Sequence, residues 1–198
     1  MRCPAKTVAW LLLAACLAAG CGKPGPQFKN IDITGADYGN DFHLTDHTGK
    51  ARALADFRGK IVILFFGYTH CPDVCPVTMA QLALMMKQLG ADAKRVQVLF
   101  VTLDPERDSR ELLAQYVPAF NPDFLGLYGD MAATQGTAKS FRVFYQKQPG
   151  KTADSYSIDH TAGTFVFDTQ GRLRLFVRYG QEGADLLADI RTLLAQSS

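Results

Sequence analysis

Three things are scarce in this sequence. No apolar run reaches the roughly 20 residues that a bilayer-spanning helix needs. Apolar residues make up 47% of the chain and charged residues 20%, close to the soluble globular average. Disorder, a collagen-like fibre and a polytopic membrane protein are therefore excluded. Charge of one sign is also missing: Lys and Arg total 21 against 19 Asp and Glu, so the balance points to no class of partner. Cysteines number only five, and Cys3, Cys16 and Cys21 crowd the N-terminus, leaving Cys71 and Cys75 alone further on. Internal repeats and low-complexity tracts are absent. At 198 residues the chain is long enough for one domain with a substantial core and too short for two of ordinary size.

What is present begins with a targeting signal. Arg2 and Lys6 precede the uncharged run Val8–Ala19, which is too short to span a bilayer and reads as the apolar region of a secretory signal. It ends in Leu17-Ala18-Ala19-Gly20-Cys21, which resembles a bacterial lipobox with Cys21 acylated as the new N-terminus. Cys16, after Leu13-Ala14-Ala15, is the alternative, as is an uncleaved N-terminal anchor. Residues 1–20 are thus expected to be a lipoprotein signal peptide, 21–30 a Gly- and Pro-rich tether, and 31–198 a single folded domain. The expected location is the periplasmic side of a bacterial membrane, held there through the lipid. Removing residues 1–20 takes Arg2 and Lys6 and no acidic residue, leaving 19 basic against 19 acidic. A neutral surface argues against nucleic acid, which requires a clustered basic patch.

Hydrophobic patterning predicts the elements. Phe42–Thr45 and Ala51–Leu54 flank a Gly turn and read as a small N-terminal hairpin. Ile61–Gly67 is apolar without alternation, as a strand covered on both faces is. Met79, Leu82, Met86 and Leu89 recur at helical spacing over residues 75–89. Val96–Leu103 reads as a second buried strand, and Asp108 with Glu111 as a capping box for a helix through Tyr116. Phe124–Tyr128 and Phe141–Gln146 read as strands, Met131–Ser140 as a helix and 147–157 as an exposed loop. Thr164–Phe167 and Leu173–Val177 form a hairpin, and Ala184–Ala195 a final amphipathic helix. The expected fold is an α/β, thioredoxin-like mixed β-sheet flanked by helices, with an N-terminal β-hairpin.

Chemistry centres on Phe65-Phe66-Gly67-Tyr68-Thr69-His70-Cys71-Pro72-Asp73-Val74-Cys75-Pro76. Both thiols sit between the end of a buried strand and the start of a helix, where open α/β sheets place their sites. A helix N-terminus favours the thiolate that both metal binding and disulfide exchange require. The C-x-x-x-C spacing departs from the C-x-x-C of thiol oxidoreductases. Four apart in a regular helix, Cβ atoms lie roughly 5–6 Å from each other, wide for a disulfide at ~3.5–4.5 Å and easier for two thiolates sharing a metal. Because these residues begin in a loop, a disulfide stays open with local adjustment, and spacing favours the metal only modestly. Two soft thiolates suit Cu(I) and need a further ligand. His70 is adjacent to Cys71 and points to the other face; His43 and His47 lie in the first hairpin. His160 precedes the strand around Phe165, which in a thioredoxin-like layout lies beside the strand ending at Gly67. No proline follows Pro149, so His160 stands where such oxidoreductases keep a cis-proline facing their thiols.

FFGYTHCPDVCP, then TLDPERD at 102–108, then Asp159-His160 before a strand resembles the Sco/SenC family of copper proteins. The likeness runs from the FHLTDHTGK hairpin to the last helix. It implies a thioredoxin-like fold and a part in assembling the copper site of cytochrome c oxidase. It also implies that Cys71, Cys75 and His160 bind copper, as Cu(I) or Cu(II), with Asp73 shaping the loop or facing a partner. The implied partners are the apo copper subunit of the oxidase and another periplasmic copper chaperone or a thiol reductase. Asp104-Pro105-Glu106-Arg107 reads either as charges in a solvated loop or as a docking surface.

The alternative to a copper metallochaperone is a thiol-disulfide reductase, with Cys71 and Cys75 as a redox-active pair keeping the oxidase's ligand cysteines reduced. A peroxidase of the same fold would want one cysteine in a different loop context. A purely structural disulfide would close too small a loop to stabilise much.

Overall fold

A computed structural model describes residues 27–151 and 155–196. The expected signal segment 1–20, Cys16, the lipidation candidate Cys21 and tether residues 21–26 lie outside the described residues. In chain order the elements are β1 (Ile31–Asp32), β2 (His43–Asp46), β3 (Ala51–Ala53), β4 (Ile61–Gly67) and α1 (Val74–Leu89). β5 (Val96–Thr102), α2 (Arg110–Tyr116), β6 (Leu125–Tyr128) and α3 (Met131–Ser140) follow. The chain ends with β7 (Tyr145–Gln148), β8 (Ser157–His160), β9 (Gly163–Phe167), β10 (Leu173–Arg178) and α4 (Ala184–Ala195).

Eight strands form one mixed sheet in the order β1-β10-β9-β4-β5-β6-β2-β3. β4 runs parallel to β5 and antiparallel to β9, with Leu64 opposite Phe165 and Phe65 opposite Thr164. This is the thioredoxin-like pairing expected from sequence, with the Phe165 strand beside the one ending at Gly67.

The unbroken apolar run of β4 follows from burial on both faces. Ile61, Ile63 and Phe65 point to one core, against Met79 and Leu82 of α1 and Leu186 and Ile190 of α4. Val62, Leu64 and Phe66 point to the other, against Phe42, Leu54, Phe57 and Phe141. Each of these fully buried side chains contributes about 1.5–3 kcal/mol through removal of apolar surface from water. The central strand is thereby buried along its whole length, and the cysteine loop stands at its carboxyl end.

Two expectations are corrected. Phe141–Gln146 is not a strand along its length. Phe141 closes α3, Arg142 takes a left-handed φ of 55°, and the Val143 amide bonds back to the Ala138 carbonyl. Phe141 and Val143 are buried while Phe144 is exposed, so the alternation of a helix exit imitates that of a strand. Tyr145–Gln148 pairs as β7 with Ser157–His160 as β8, a separate two-stranded sheet with Tyr145 opposite His160, so strand pairing extends into both ends of the segment 147–157 expected as a loop.

Candidate metal centre

The cysteine loop is built on a close approach. A Cβ on Gly67 would meet Cys75 Sγ, Phe100 and Phe65, each at 2.9 Å, so glycine is what lets the thiol sit directly on the strand end. The Cys71 amide donates to the Tyr68 carbonyl (3.3 Å), turning the chain before α1. Asp73 occupies the N-cap position, yet its side chain caps nothing. Cys71 does that work: the Cys75 amide, in the first turn of α1, donates to Cys71 Sγ at 3.4 Å. Pro76 is accommodated because the first-turn amides of a helix have no intrahelical acceptor to lose. Cys71 thus lies outside the helix, and the helical separation that argued against a sulfur–sulfur contact does not apply.

The two thiols are free and are driven apart electrostatically. A hydrogen bond from Cys75, with help from the Asp73 and Cys75 amides and against burial, holds Cys71 at about 5. The same bond from the other side, reinforced by full burial, pushes Cys75 far above the ordinary thiol value. Cys71 is therefore a half-exposed thiolate and Cys75 a buried thiol.

β8 delivers His160 to this pair. Its Nδ1 lies 3.1 Å from the Thr161 carbonyl, which assigns the proton to Nδ1 and leaves the Nε2 lone pair facing Cys75 Sγ at 3.9 Å. Burial lowers its pKa, against the pull of the Thr161 carbonyl and the Cys71 charge, so the ring is a neutral imidazole. Phe65 and Tyr68 hold it edge-on, each at 6.3 Å between ring centroids. Together Tyr68, Cys71, Pro72, Asp73, Ile158 and His160 line a groove of about 420 Å³.

Taking bond lengths seen at zinc, about 2.3 Å to sulfur and 2.0 Å to nitrogen, two ligands meeting at about 120° put their donor atoms about 3.7 Å apart. The 3.9 Å between Cys75 Sγ and His160 Nε2 is already close to that span. Among the described residues no three His, Cys, Asp or Glu side chains are yet drawn together tightly enough to hold a metal ion. Cys71 Sγ is engaged on the helix end, where it accepts from the Cys75 amide.

The other histidines stay apart from the thiols. His43 is exposed beside Asp41 (3.5 Å). His47 Nδ1 accepts from the Gly126 amide at 3.0 Å and ties the first hairpin to β6. His70 is half exposed and turned toward Thr69 and Asp108.

Three residues of the 103–109 loop matter more than the sequence suggested. Asp108 is not the N-cap of α2; Ser109 is, accepting from the Leu112 amide at 3.2 Å. Asp108 turns inward and accepts from the Thr69 amide (3.0 Å), the Thr69 hydroxyl (2.5 Å) and the Thr102 hydroxyl (2.6 Å), fixing the start of the cysteine loop. Asp104 is completely buried and Arg107 mostly so, which corrects the solvated-loop reading. The available signal was position: Asp104 and Asp108 directly follow a buried strand, at the sheet edge where the cysteines also emerge.

Comparison with known proteins places this arrangement in context. The SCO1/SenC family model matches residues 32–195. The chain is 42% identical over 141 residues to the human mitochondrial protein SCO2 homolog, a stretch covering 70% of this chain and 52% of the relative; the chain thus aligns with about half the length of that protein. The copper-bound structure of ScoI from Bradyrhizobium japonicum superposes with a TM-score of 0.72 at 36% identity, covering 79% of this chain and 99% of that one. The solution structure of apo Sco1 from Thermus thermophilus gives 0.76 at 40% identity, covering 84% and 97%.

Proposed function

The chain belongs to the SCO1/SenC family, and from that premise we propose that it is a copper metallochaperone. Cu(I) is its cargo, held by Cys71, Cys75 and His160 and passed by ligand exchange to the apo copper subunit of a cytochrome c oxidase. One observation carries the ligand set: a neutral imidazole, its Nδ1 committed to a carbonyl, aims its free Nε2 at a buried thiol 3.9 Å away, with a thiolate beside it. Two soft sulfurs and one nitrogen match the preference of Cu(I). A relative solved with copper bound supports the choice of metal. A three-ligand site on a loop and a hairpin leaves a face open for an incoming ligand, as transfer requires. Loading expels the Cys75 proton, because a thiol must ionise to ligate. We place the domain over residues 31–198 on the periplasmic side of a bacterial membrane, tethered through a lipid on Cys21 after removal of residues 1–20.

The test is an anaerobic Cu(I) titration of the reduced protein against a competing chelator, for wild type and His160→Ala. Tight 1:1 binding that weakens by tenfold or more in the variant is the expected result; affinity indifferent to His160 removes it from the ligand set. The Cys71 thiolate favours a second reading, a thiol-disulfide reductase in which Cys71 attacks and Cys75 resolves. Turnover on a disulfide partner, with no dependence of copper affinity on His160, would select that reading instead.

A further inference from the structure

Among the described residues, the hairpin that carries His160 shares no backbone ladder with the main sheet: β7 pairs with β8 in a sheet of their own. The thiols, by contrast, are fixed to the end of β4. Two things therefore set the distance between sulfur and nitrogen: the short link from His160 to Gly163, where β9 joins the main sheet beside β4, and whatever holds the rest of the hairpin against the body.

Ile158 of β8 is buried in the main core, and a cluster of polar contacts gathers on Tyr156, just ahead of β8. Its hydroxyl donates to Asp104 Oδ1 at 2.6 Å and its carbonyl accepts from Arg107 Nη1 at 2.8 Å. The Arg107 guanidinium lies 3.5 Å from the centroid of the Tyr156 ring while its Nε bonds Asp104 Oδ2 at 2.5 Å. Lys147 of β7 adds its ammonium 4.5 Å from the same ring and pairs with Glu106 at 2.6 Å. Arg107 also stands 5.9 Å from the ring of Tyr68, the residue that holds the His160 imidazole edge-on. One guanidinium therefore touches the β5 loop, the hairpin and the cysteine loop. The carboxylate it pairs with is wholly out of solvent, where a broken pair is strongly unfavourable.

We infer that Asp104, Arg107 and Tyr156 are positioning residues that hold the β7–β8 hairpin so that His160 Nε2 is preset over the thiols. They touch no metal ion; they act through His160. The inference deepens the copper-binding reading and rests on it for its affinity readout. The adjacent Asp108 contacts fix the thiols in the same manner, so a single short loop registers both halves of the ligand set.

Tyr156→Phe removes the hydroxyl bond and keeps the ring, and Arg107→Lys keeps the charge but loses the planar fork that stacks and bonds at once. In the full-length reduced protein, both are expected to lower Cu(I) affinity about tenfold, the scale of a lost supporting contact around a ligand. In a His160→Ala background the same substitutions should cost nothing further, because there is no imidazole left to place. Without metal, amide exchange over residues 157–162 should accelerate while α1 keeps its protection. Wild-type affinity and unchanged hairpin exchange in both variants would overturn the inference. So would an equal loss of affinity with and without His160, which would mark the cluster as general scaffolding. If wild-type copper binding itself proves independent of His160, the ligand assignment fails, and metal-free hairpin exchange alone decides whether the clamp holds the arm.

Discussion

One hydrogen bond separates the chemistry of the two cysteines. Cys75 donates to the Cys71 sulfur, so the first thiol is pulled down to about 5 and the second, also buried, is pushed up. In reduced, metal-free protein, iodoacetamide should modify Cys71 with a rate that is half-maximal near pH 5 and flat from pH 7 to 8. Cys75 should stay unlabelled until the protein is denatured, as peptide mapping would show. Cys75→Ala should move the Cys71 midpoint upward, since the largest stabilising contact on the thiolate is gone. A wild-type midpoint near the ordinary 8.5 would refute the assignment. Gly67 is the other residue on which this arrangement depends: Gly67→Ala is expected to cost about 1–3 kcal/mol by overpacking, and less when Cys75 is also alanine. That Cys75 and His160 come together was legible from their positions in the expected strand order, and their role as ligands, with Cys71, rests on the family resemblance. Asp104, Arg107 and Tyr156 were not legible, because charged residues after a strand and a tyrosine in a polar loop read as solvated until the fold brings them together.

Among the elements, α2 shows how a local signal can be captured by tertiary structure. Asp108 and Glu111 have the spacing of a capping box, yet Ser109 caps the helix and Asp108 serves the cysteine loop. Ser109→Ala should therefore cost about 1 kcal/mol, the usual loss of a cap. Asp108→Ala should cost more, about 3 kcal/mol, because it strands the buried Thr102 hydroxyl and the half-buried Thr69 donors together. Denaturant unfolding of the two variants checks the order, and a larger loss at Ser109 would restore the capping-box reading. Elements defined by long apolar runs, β4, β5, α1 and α4, were readable to within a residue or two because burial on a wide face repeats along them. The β7–β8 hairpin was not, since Tyr145–Gln148 and Ser157–His160 are short, polar and half-exposed. Phe141 and Val143 meanwhile offered a false strand beside it.

At the scale of the whole molecule, the sheet is finished at two hairpins by the same acid-sensitive device. In the β2–β3 turn, Asp46 Oδ1 accepts from the Thr48 and Lys50 amides while Arg52 Nε bonds Oδ2 at 2.7 Å. In the β9–β10 turn, Asp168 accepts from the Gln170 and Arg172 amides and from the Arg172 and Arg174 guanidiniums. Gly49 and Gly171 take the left-handed φ, 93° and 75°, that lets each chain return. Burial alone would raise the Asp46 carboxyl, but the Thr48, Arg52 and Lys50 donors outweigh it and hold the group at about 2; Asp168 is lowered by the same opposition. A carboxyl whose folded pKa lies below its unfolded value near 3.9 stabilises fully above pH ~4 and loses that contribution as pH falls toward 2. Asp108 and Glu182, raised by burial, act in the opposite sense, so the wild-type profile alone is a balance and the Asp46 contribution must be read as a difference. Denaturant unfolding of wild type and Asp46→Asn should differ by about 2 kcal/mol at pH 7, hold that gap to pH ~5, and converge between pH 4 and 2. A gap that does not change with pH would mean that the turn is held by its amides and glycine rather than by the charge of Asp46.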